Sequence, residues 1–596
     1  MTGTATEVTS GRRRDLPEWG SRGARILGVA GFISLMAWAV PAMVMADKGF
    51  SVQDEGSYVL SYRFWNTNPF FMSGSQYFYG PLLAVMHGQI AELRLLRLFM
   101  VVGSNVWFAE TFFRWLAQHR GVRLFGRGPS GVALLAAAGG LSYLWAPLTP
   151  GYYDLTADAS IALVALMFSS LRRASRLPVL TALLAGSVSF VLVLTKWPSV
   201  LVVLVVQGVV LIELYRHSHS VAAGYASVFG AGFAGTALGC QLFVVRLDVA
   251  LPAIHAVSVL TATATHSPEA LARSYLASTM VFAVASMVFA LPLVGAYVTA
   301  LRASARGREG VARLCVVAGA LVTGVVIPLA CGWHGGGEKG RVMVAVALAA
   351  LITALIASGV FRGPGRSSQW TVERQVLGVL SVVPVLQALG TDVPLIYVVA
   401  ECLVMWVATV FIVVSRSARA PVSLFTVETS LILCMVTVAM LAGTTTLLSP
   451  FKTTGVSSDT VAVADLGGVR VSPSTAHEYA ALEEALAPYV QRQVTPVLTL
   501  DRLAGLTYLV GGVPMGSTWT DASTPARTAA ILDLACRGGD VERRHPPVLI
   551  FDRAPDDLLL GALHRCGFDY PADFRQLKVL GIPPGLRVFV PLVPGR

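Results

Sequence analysis

The sequence predicts an α-helical polytopic membrane protein of about 13 transmembrane helices with a C-terminal extracytoplasmic α/β domain. Three observations carry that reading. Of 596 residues, 55% are hydrophobic and only 13% charged, and the mean hydropathy is +0.66. A water-soluble globule needs about 25% charged residues to cover its surface, so lipid must satisfy much of this exterior. The same balance excludes disordered, collagen-like and small disulfide-scaffold chains. Second, apolar runs long enough to cross about 30 Å of hydrocarbon recur up to residue 449. Third, arginines collect in alternate loops, as expected of segments retained on the cytoplasmic side.

The N-terminal arm, 1–23, holds Arg12, Arg13, Arg14 and Arg22, and the apolar run that follows, about 24–45, also includes Arg25. That run is too long for a signal-peptide core and no small-residue cleavage site closes it, which predicts a retained first span. Further spans are predicted near 95–117, 130–148, 157–172, 176–196, 198–215, 222–246, 277–301, 311–331, 341–361, 374–390, 393–415 and 424–448. Residues 24–449 are thus the expected transmembrane region. With the N-terminus inside, the cytoplasmic segments hold about 21 basic residues, among them Arg120, Arg172, Arg216, Arg302, Arg362 and Arg416, against about 7 in the opposite loops. The net charge of +11 is accounted for this way, with no nucleic-acid partner implied. An odd number of spans places 450–596 outside.

From about 450 charge returns and the apolar runs shrink to strand length, which marks a soluble α/β domain. Ala476–Tyr489 and Pro525–Cys536 read as helices; Thr495–Leu500, Pro547–Phe551 and Leu586–Leu592 read as strands. Cys536 and Cys566 fall in polar sequence, where an oxidising compartment would let them pair or leave them as separate thiols. The seven cysteines show no metal-binding spacing.

Candidate chemistry lies in the loops expected outside. The first, about 46–94, carries Asp54 and Glu55, adjacent carboxylates suited to a general base or to a divalent-cation ligand such as Mg or Mn, and equally to a plain helix cap. Farther along, Tyr79-Gly80-Pro81 opens an amphipathic run suited to the membrane interface. The second loop supplies Asp154 and Asp158, the latter at the threshold of hydrocarbon, where it either caps a helix or faces substrate. Lys196 interrupts two apolar spans and is one of five lysines; it either snorkels or binds a phosphate. His334, Lys339 and Arg341 sit in a glycine-rich turn whose amides and cations suit a lipid-linked phosphate, or simply touch headgroups. His255, His266 and His334 form no metal motif.

The acidic pair Asp54-Glu55, the Tyr79-Gly80-Pro81 segment, Arg94 and Arg97 opening the second span, an acid at Asp154 or Asp158, and the Lys196-x-Pro198 turn together resemble the GT-C superfamily of polytopic glycosyltransferases. The resemblance covers about residues 20–360 and its motifs are short. It implies a polyprenyl-phosphate sugar donor, a first-loop acid as catalytic base or metal ligand, cationic residues on the donor phosphate, and transfer with inversion to an envelope glycan, lipid or protein. On that basis Asp54, Glu55 and Asp158 are the expected catalytic residues. Tyr79, Asp154, Lys196, His334, Lys339 and Arg341 are the expected substrate ligands, and the plasma membrane is the expected location. A transporter or flippase of a lipid-linked precursor, and a non-catalytic envelope-assembly protein, are the competing readings; a transporter would place ionisable residues near the midplane of its spans and show internal repeats, and neither is evident beyond Glu110 and Glu401.

Overall fold

The computed structural model describes residues 21–120 apart from 72, 129–172 apart from 145, 177–322 apart from 265 and 266, 369–417 apart from 392 and 394, several residues between 436 and 447, and 459–592 apart from 521–523, 539–544 and 584. The chain is a helical membrane protein. Among the described residues, four helices are long and apolar enough to cross a bilayer: Ile90–His119, Tyr152–Leu171, Trp197–His217 and His219–Phe243. At 1.5 Å per residue the 20 residues of Tyr152–Leu171 span about 30 Å, the thickness of the hydrocarbon.

Before the second span come α1 (Ser21–Val44) and two short helices, α2 (Asp54–Arg63) and α3 (Gln76–Val85). Then follow α4 (Ile90–Arg120), α5 (Pro129–Ala136), α6 (Tyr152–Leu171), α7 (Val179–Thr195), α8 (Val200–His217), α9 (His219–Phe243), α10 (Leu247–Ala264), α11 (Pro268–Ala305) and α12 (Glu309–Leu321). After a gap in the described residues come α13 (Gln369–Ala388), α14 (Leu395–Glu401) and α15 (Leu403–Ser417).

α6 is apolar nearly all round and is buried nearly all round, as a central helix should be. Phe168 on α6 meets Phe108 and Phe112 of α4 edge-on, at 5.8 and 5.5 Å between ring centroids, and Phe112 in turn meets Phe411 of α15. At the periphery, α9 presents Leu238, Leu242 and Phe243 and α7 presents Leu180 and Leu183 to the surroundings. Water would penalise that apolar surface; lipid does not. α7 and α9 cross through glycines. A Cβ on Gly186 would stand 2.1 Å from the Phe229 carbonyl oxygen, and one on Gly232 would stand 2.2 Å from that of Leu183. Two backbones approach this closely only where side chains are absent.

Residues 459–592 form a mixed five-stranded sheet with helices on it. The strands are β3 (Pro496–Thr499), β4 (Val513–Pro514), β5 (Val548–Phe551), β6 (Phe574–Leu577) and β7 (Arg587–Pro591), in the order β4-β3-β5-β7-β6. β3 runs parallel to both β4 and β5, whereas β7 is antiparallel to β5 and β6. The connecting helices are α17 (Ala504–Leu509), α18 (Pro525–Gly538) and α19 (Asp557–Arg565), preceded by α16 (Pro473–Leu486). Side chains alternate between two cores with the pleat: Val497, Val548, Ile550, Val588 and Val590 enter one, and Leu498, Leu549, Phe551 and Phe589 the other. The Cys536–Cys566 disulfide lies in the second core and ties α18 to the end of α19.

The first of those cores is not built by the C-terminal residues alone. Phe50, Val59, Leu60 and Phe64 of the first loop, with Ile90 at the start of α4, pack into it. Backbone pairing reinforces the join. Gly49 N–H donates to the Arg470 carbonyl at 2.8 Å and Arg470 N–H to that of Asp47 at 2.7 Å, which sets the loop beside the small antiparallel pair β1 (Val461–Ala462) and β2 (Arg470–Val471). A Cβ on Gly56 would lie 2.3 Å from the Gly505 nitrogen, so α2 and α17 meet backbone to backbone.

Candidate functional site

Two arginines one turn apart on α4 organise the site. Both guanidinium groups are buried, which in an apolar bundle demands full hydrogen bonding and an opposite charge. Arg94 pairs with Glu55 at 2.8 Å and donates to the carbonyls of Ala46, Lys48 and Gly49 at 2.9, 3.1 and 2.7 Å. Glu55 also accepts from Ser51 N–H at 3.0 Å and from the Thr149 hydroxyl. One buried ion pair therefore holds the exit from α1, the first turn of α2 and the loop before α6.

Arg97 repeats the device one turn deeper. It pairs with Asp154 at 2.6 Å, donates to the carbonyls of Pro147 and Ser142, and lies 4.3 Å from the centre of the Tyr143 ring. The second Asp154 oxygen accepts Gly151 N–H at 2.8 Å, closing the N-terminus of α6. Asp154 is thereby engaged by Arg97 and by the Gly151 amide.

Asp158, one turn farther along α6, accepts the Ser104 hydroxyl at 2.6 Å on one oxygen, while its other oxygen is buried with no hydrogen-bond partner among the described residues. Glu401, at the end of α14, is buried with neither oxygen hydrogen-bonded among the described residues. It lies within electrostatic reach of Asp154, Arg97, Asp158 and Lys196. Lys196, in extended conformation between α7 and α8, is also buried; its ammonium donates to the Gln387 carbonyl at 2.7 Å and faces the Tyr153 ring at 6.0 Å. Gln387 is anchored in turn on the Val398 carbonyl.

Tyrosines pack together around α2. Tyr58 and Tyr62 stack at 6.3 Å, Tyr62 meets Tyr79 at 5.3 Å, and Tyr58 meets Tyr152 at 6.4 Å. The Tyr62 hydroxyl donates to the Pro150 carbonyl; that of Tyr79 is buried without a partner among the described residues. Burial first, then Tyr152 and the nearby Asp54 carboxylate, hold the Tyr58 phenol well above its ordinary range. Tyr58 is thus a neutral hydrogen-bond donor beside Asp54 at any physiological pH. Asp54 itself is half-buried and starts α2, where the helix dipole favours its negative charge.

Of the residues expected from sequence, Asp54, Glu55, Tyr79, Asp154, Asp158 and Lys196 fall on elements that pack together here, whereas His334, Lys339 and Arg341 lie outside the described residues. Glu55 is committed to Arg94, Thr149 and Ser51, and no group of three or more His, Cys, Asp or Glu side chains suited to a metal occurs among the described residues. Ser104 and the clamping role of Arg94 and Arg97 escaped sequence reasoning. Two arginines at i, i+3 opening an apolar span were the available signal, since buried charge in a bundle requires a buried partner. Compared with known proteins, the chain matches no protein-family model and no curated protein.

Proposed function

We propose that the chain is an inverting membrane glycosyltransferase of the GT-C kind, moving a sugar from a polyprenyl-phosphate donor to a cell-envelope acceptor. Its topology in this reading is a cytoplasmic N-terminus, about 13 spans of the plasma membrane and an extracytoplasmic C-terminal α/β domain. The acceptor hydroxyl oxygen attacks the anomeric carbon as Asp54 takes its proton. The bond from that carbon to the phosphate oxygen breaks, and the lipid phosphate leaves with the bonding pair. Lys196 neutralises that phosphate, with His334, Lys339 and Arg341 as further ligands. Tyr58 donates to Asp54 or to the incoming hydroxyl, Tyr79 offers its phenol to the sugar, and Asp158 orients it. Glu55 and Asp154 position this machinery through Arg94 and Arg97.

The observation that carries the reading is the Glu55–Arg94 clamp, which fixes the first turn of α2 and so the orientation of Asp54. The test is transfer from labelled polyprenyl-phosphate sugars by purified protein in nanodiscs. Asp54→Asn is expected to lower the rate about 10²–10⁴-fold, the range for a lost general base. Undiminished transfer by that variant removes Asp54 from the chemistry. One observation favours transport of a lipid-linked precursor instead: the buried Glu401 carboxylate beside Asp158 and Lys196 is the kind of intramembrane group that carries protons. Movement of an uncleavable donor analogue across the bilayer, abolished by Glu401→Gln, would establish that reading.

A further inference from the structure

The C-terminal sheet contains a cleft that the chemistry above does not use. From β3 the chain crosses through α17 to β4 on one side, then returns through α18 to β5 on the other, so the strand order reverses between β3 and β5. In open α/β sheets the crevice beyond the carboxyl ends of the strands at such a point is where ligands bind. A cavity of about 200 Å³ lies there, lined by Asp501 after β3, Arg553 after β5, Thr528 of α18, and Pro525, Pro555 and Leu559. At roughly 30 Å³ per water this is room for about seven waters, the size of a single sugar ring.

The lining selects the ligand. Asp501 is 8% exposed yet ionically paired with Arg553 at 2.7 Å, and Arg553 is largely open to the cleft. Asp501 and Arg502 both hold left-handed backbone, φ 60° and 65°, a conformation that costs energy in non-glycine residues and aims the carboxylate. Asp556 adds a second acid. With Asp552 at 3.9 Å from the same guanidinium, three carboxylates surround Arg553 and repel a phosphate, while the guanidinium repels a divalent cation. A neutral ligand rich in hydroxyls satisfies both: vicinal hydroxyls donate to Asp501 and accept from Arg553, and the proline and leucine faces meet its C–H surface. We infer that the cleft between the carboxyl ends of β3 and β5 binds a neutral saccharide through Asp501 and Arg553.

Hydrogen bonds join this cleft to α2. Thr520 donates its hydroxyl to the Thr499 carbonyl at 2.6 Å and accepts Arg502 N–H at 2.9 Å, bracketing Asp501. Two residues earlier, the Thr518 carbonyl accepts the Ser57 hydroxyl at 3.1 Å, one turn beyond Asp54. A saccharide held here is the acceptor glycan, a role that rests on the glycosyl-transfer reading, whereas its binding does not.

Saturation-transfer NMR on the full chain in nanodiscs, with maltotriose, mannotriose and galactotriose at millimolar concentration, tests the binding. At least one trisaccharide is expected to receive saturation. Asp501→Asn, whose asparagine tolerates the left-handed backbone, and Arg553→Ala, at an exposed position, are each expected to weaken it about tenfold. Silence across the three sugars, equal binding by both variants, or competition by inorganic phosphate or Mg²⁺ overturns the inference. Asp54→Asn is expected to leave the NMR signal intact, and a wild-type chain that binds a trisaccharide but transfers no sugar counts against the catalytic reading alone.

Discussion

Removing the Arg94 side chain measures how much the clamp contributes. The Arg94 and Glu55 side chains are 1% and 2% exposed, so Arg94→Ala leaves a carboxylate without its counter-charge where water cannot reach it. Breaking a buried pair from one side costs about 3–5 kcal/mol. The carbonyls of Ala46, Lys48 and Gly49 lose their donor in the same stroke, and an orphaned buried carbonyl costs about 1–3 kcal/mol. These terms overlap, since a relaxed loop can rebind some of them, so the expected total is about 5 kcal/mol. Glu55→Gln keeps the shape while removing the charge and one of the two acceptor oxygens that Ser51 N–H and the Thr149 hydroxyl use, and is expected to cost less than Arg94→Ala. Thermal unfolding in matched detergent ranks the variants, and limited proteolysis reads the 46–64 segment directly. Arg94→Ala protein that melts with the wild type and keeps that segment protected would show that the ion pair does not hold the loop.

Gly186→Leu is expected to separate α7 from α9, at a cost of about 3 kcal/mol or more given the 2.1 Å approach, read as a lowered melting temperature; Gly208→Leu, at a position with open space, serves as control. Glu483 of α16 is pushed up to about 7, by burial first and then by neighbouring Asp465, so the folded state holds a proton that the unfolded state releases above its ordinary value near 4.5. Stability of this region should therefore fall as pH rises from about 4.5 to 7, and Glu483→Gln should flatten that slope in hydrogen exchange across Pro473–Leu486. Reducing Cys536–Cys566, which closes a loop with a sequence separation of 30, is expected to cost about 3–4 kcal/mol by chain entropy, seen as faster exchange in α18 and α19.

Elements with a strong local signature were legible in the sequence. Pro525–Gly538 and Val548–Phe551 occur within two residues of where periodicity and apolar runs put them, because a proline start and a four-residue buried strand are written locally. β6 was not legible: Phe574–Leu577 alternates poorly, with Arg575 and Gln576 both exposed at a sheet edge. At the site, Asp54, Asp154, Asp158 and Lys196 stood out because charge is scarce in apolar sequence. Their duties did not. That Glu55 is spent on Arg94 and Asp154 on Arg97 depends on contacts 39 and 57 residues apart, which no local pattern encodes.

The seam between the first loop and the C-terminal sheet also sets a schedule for biosynthesis. Ser57 and its partner Thr518 are separated by 461 residues, which a ribosome adds over roughly 20–90 s at about 5–20 residues per second. For that interval Phe50, Val59, Leu60 and Phe64 have been made while the strands that cover them have not. A nascent chain stalled before residue 496 would carry an uncovered greasy patch, so premature termination here yields a target for quality control rather than a smaller working protein.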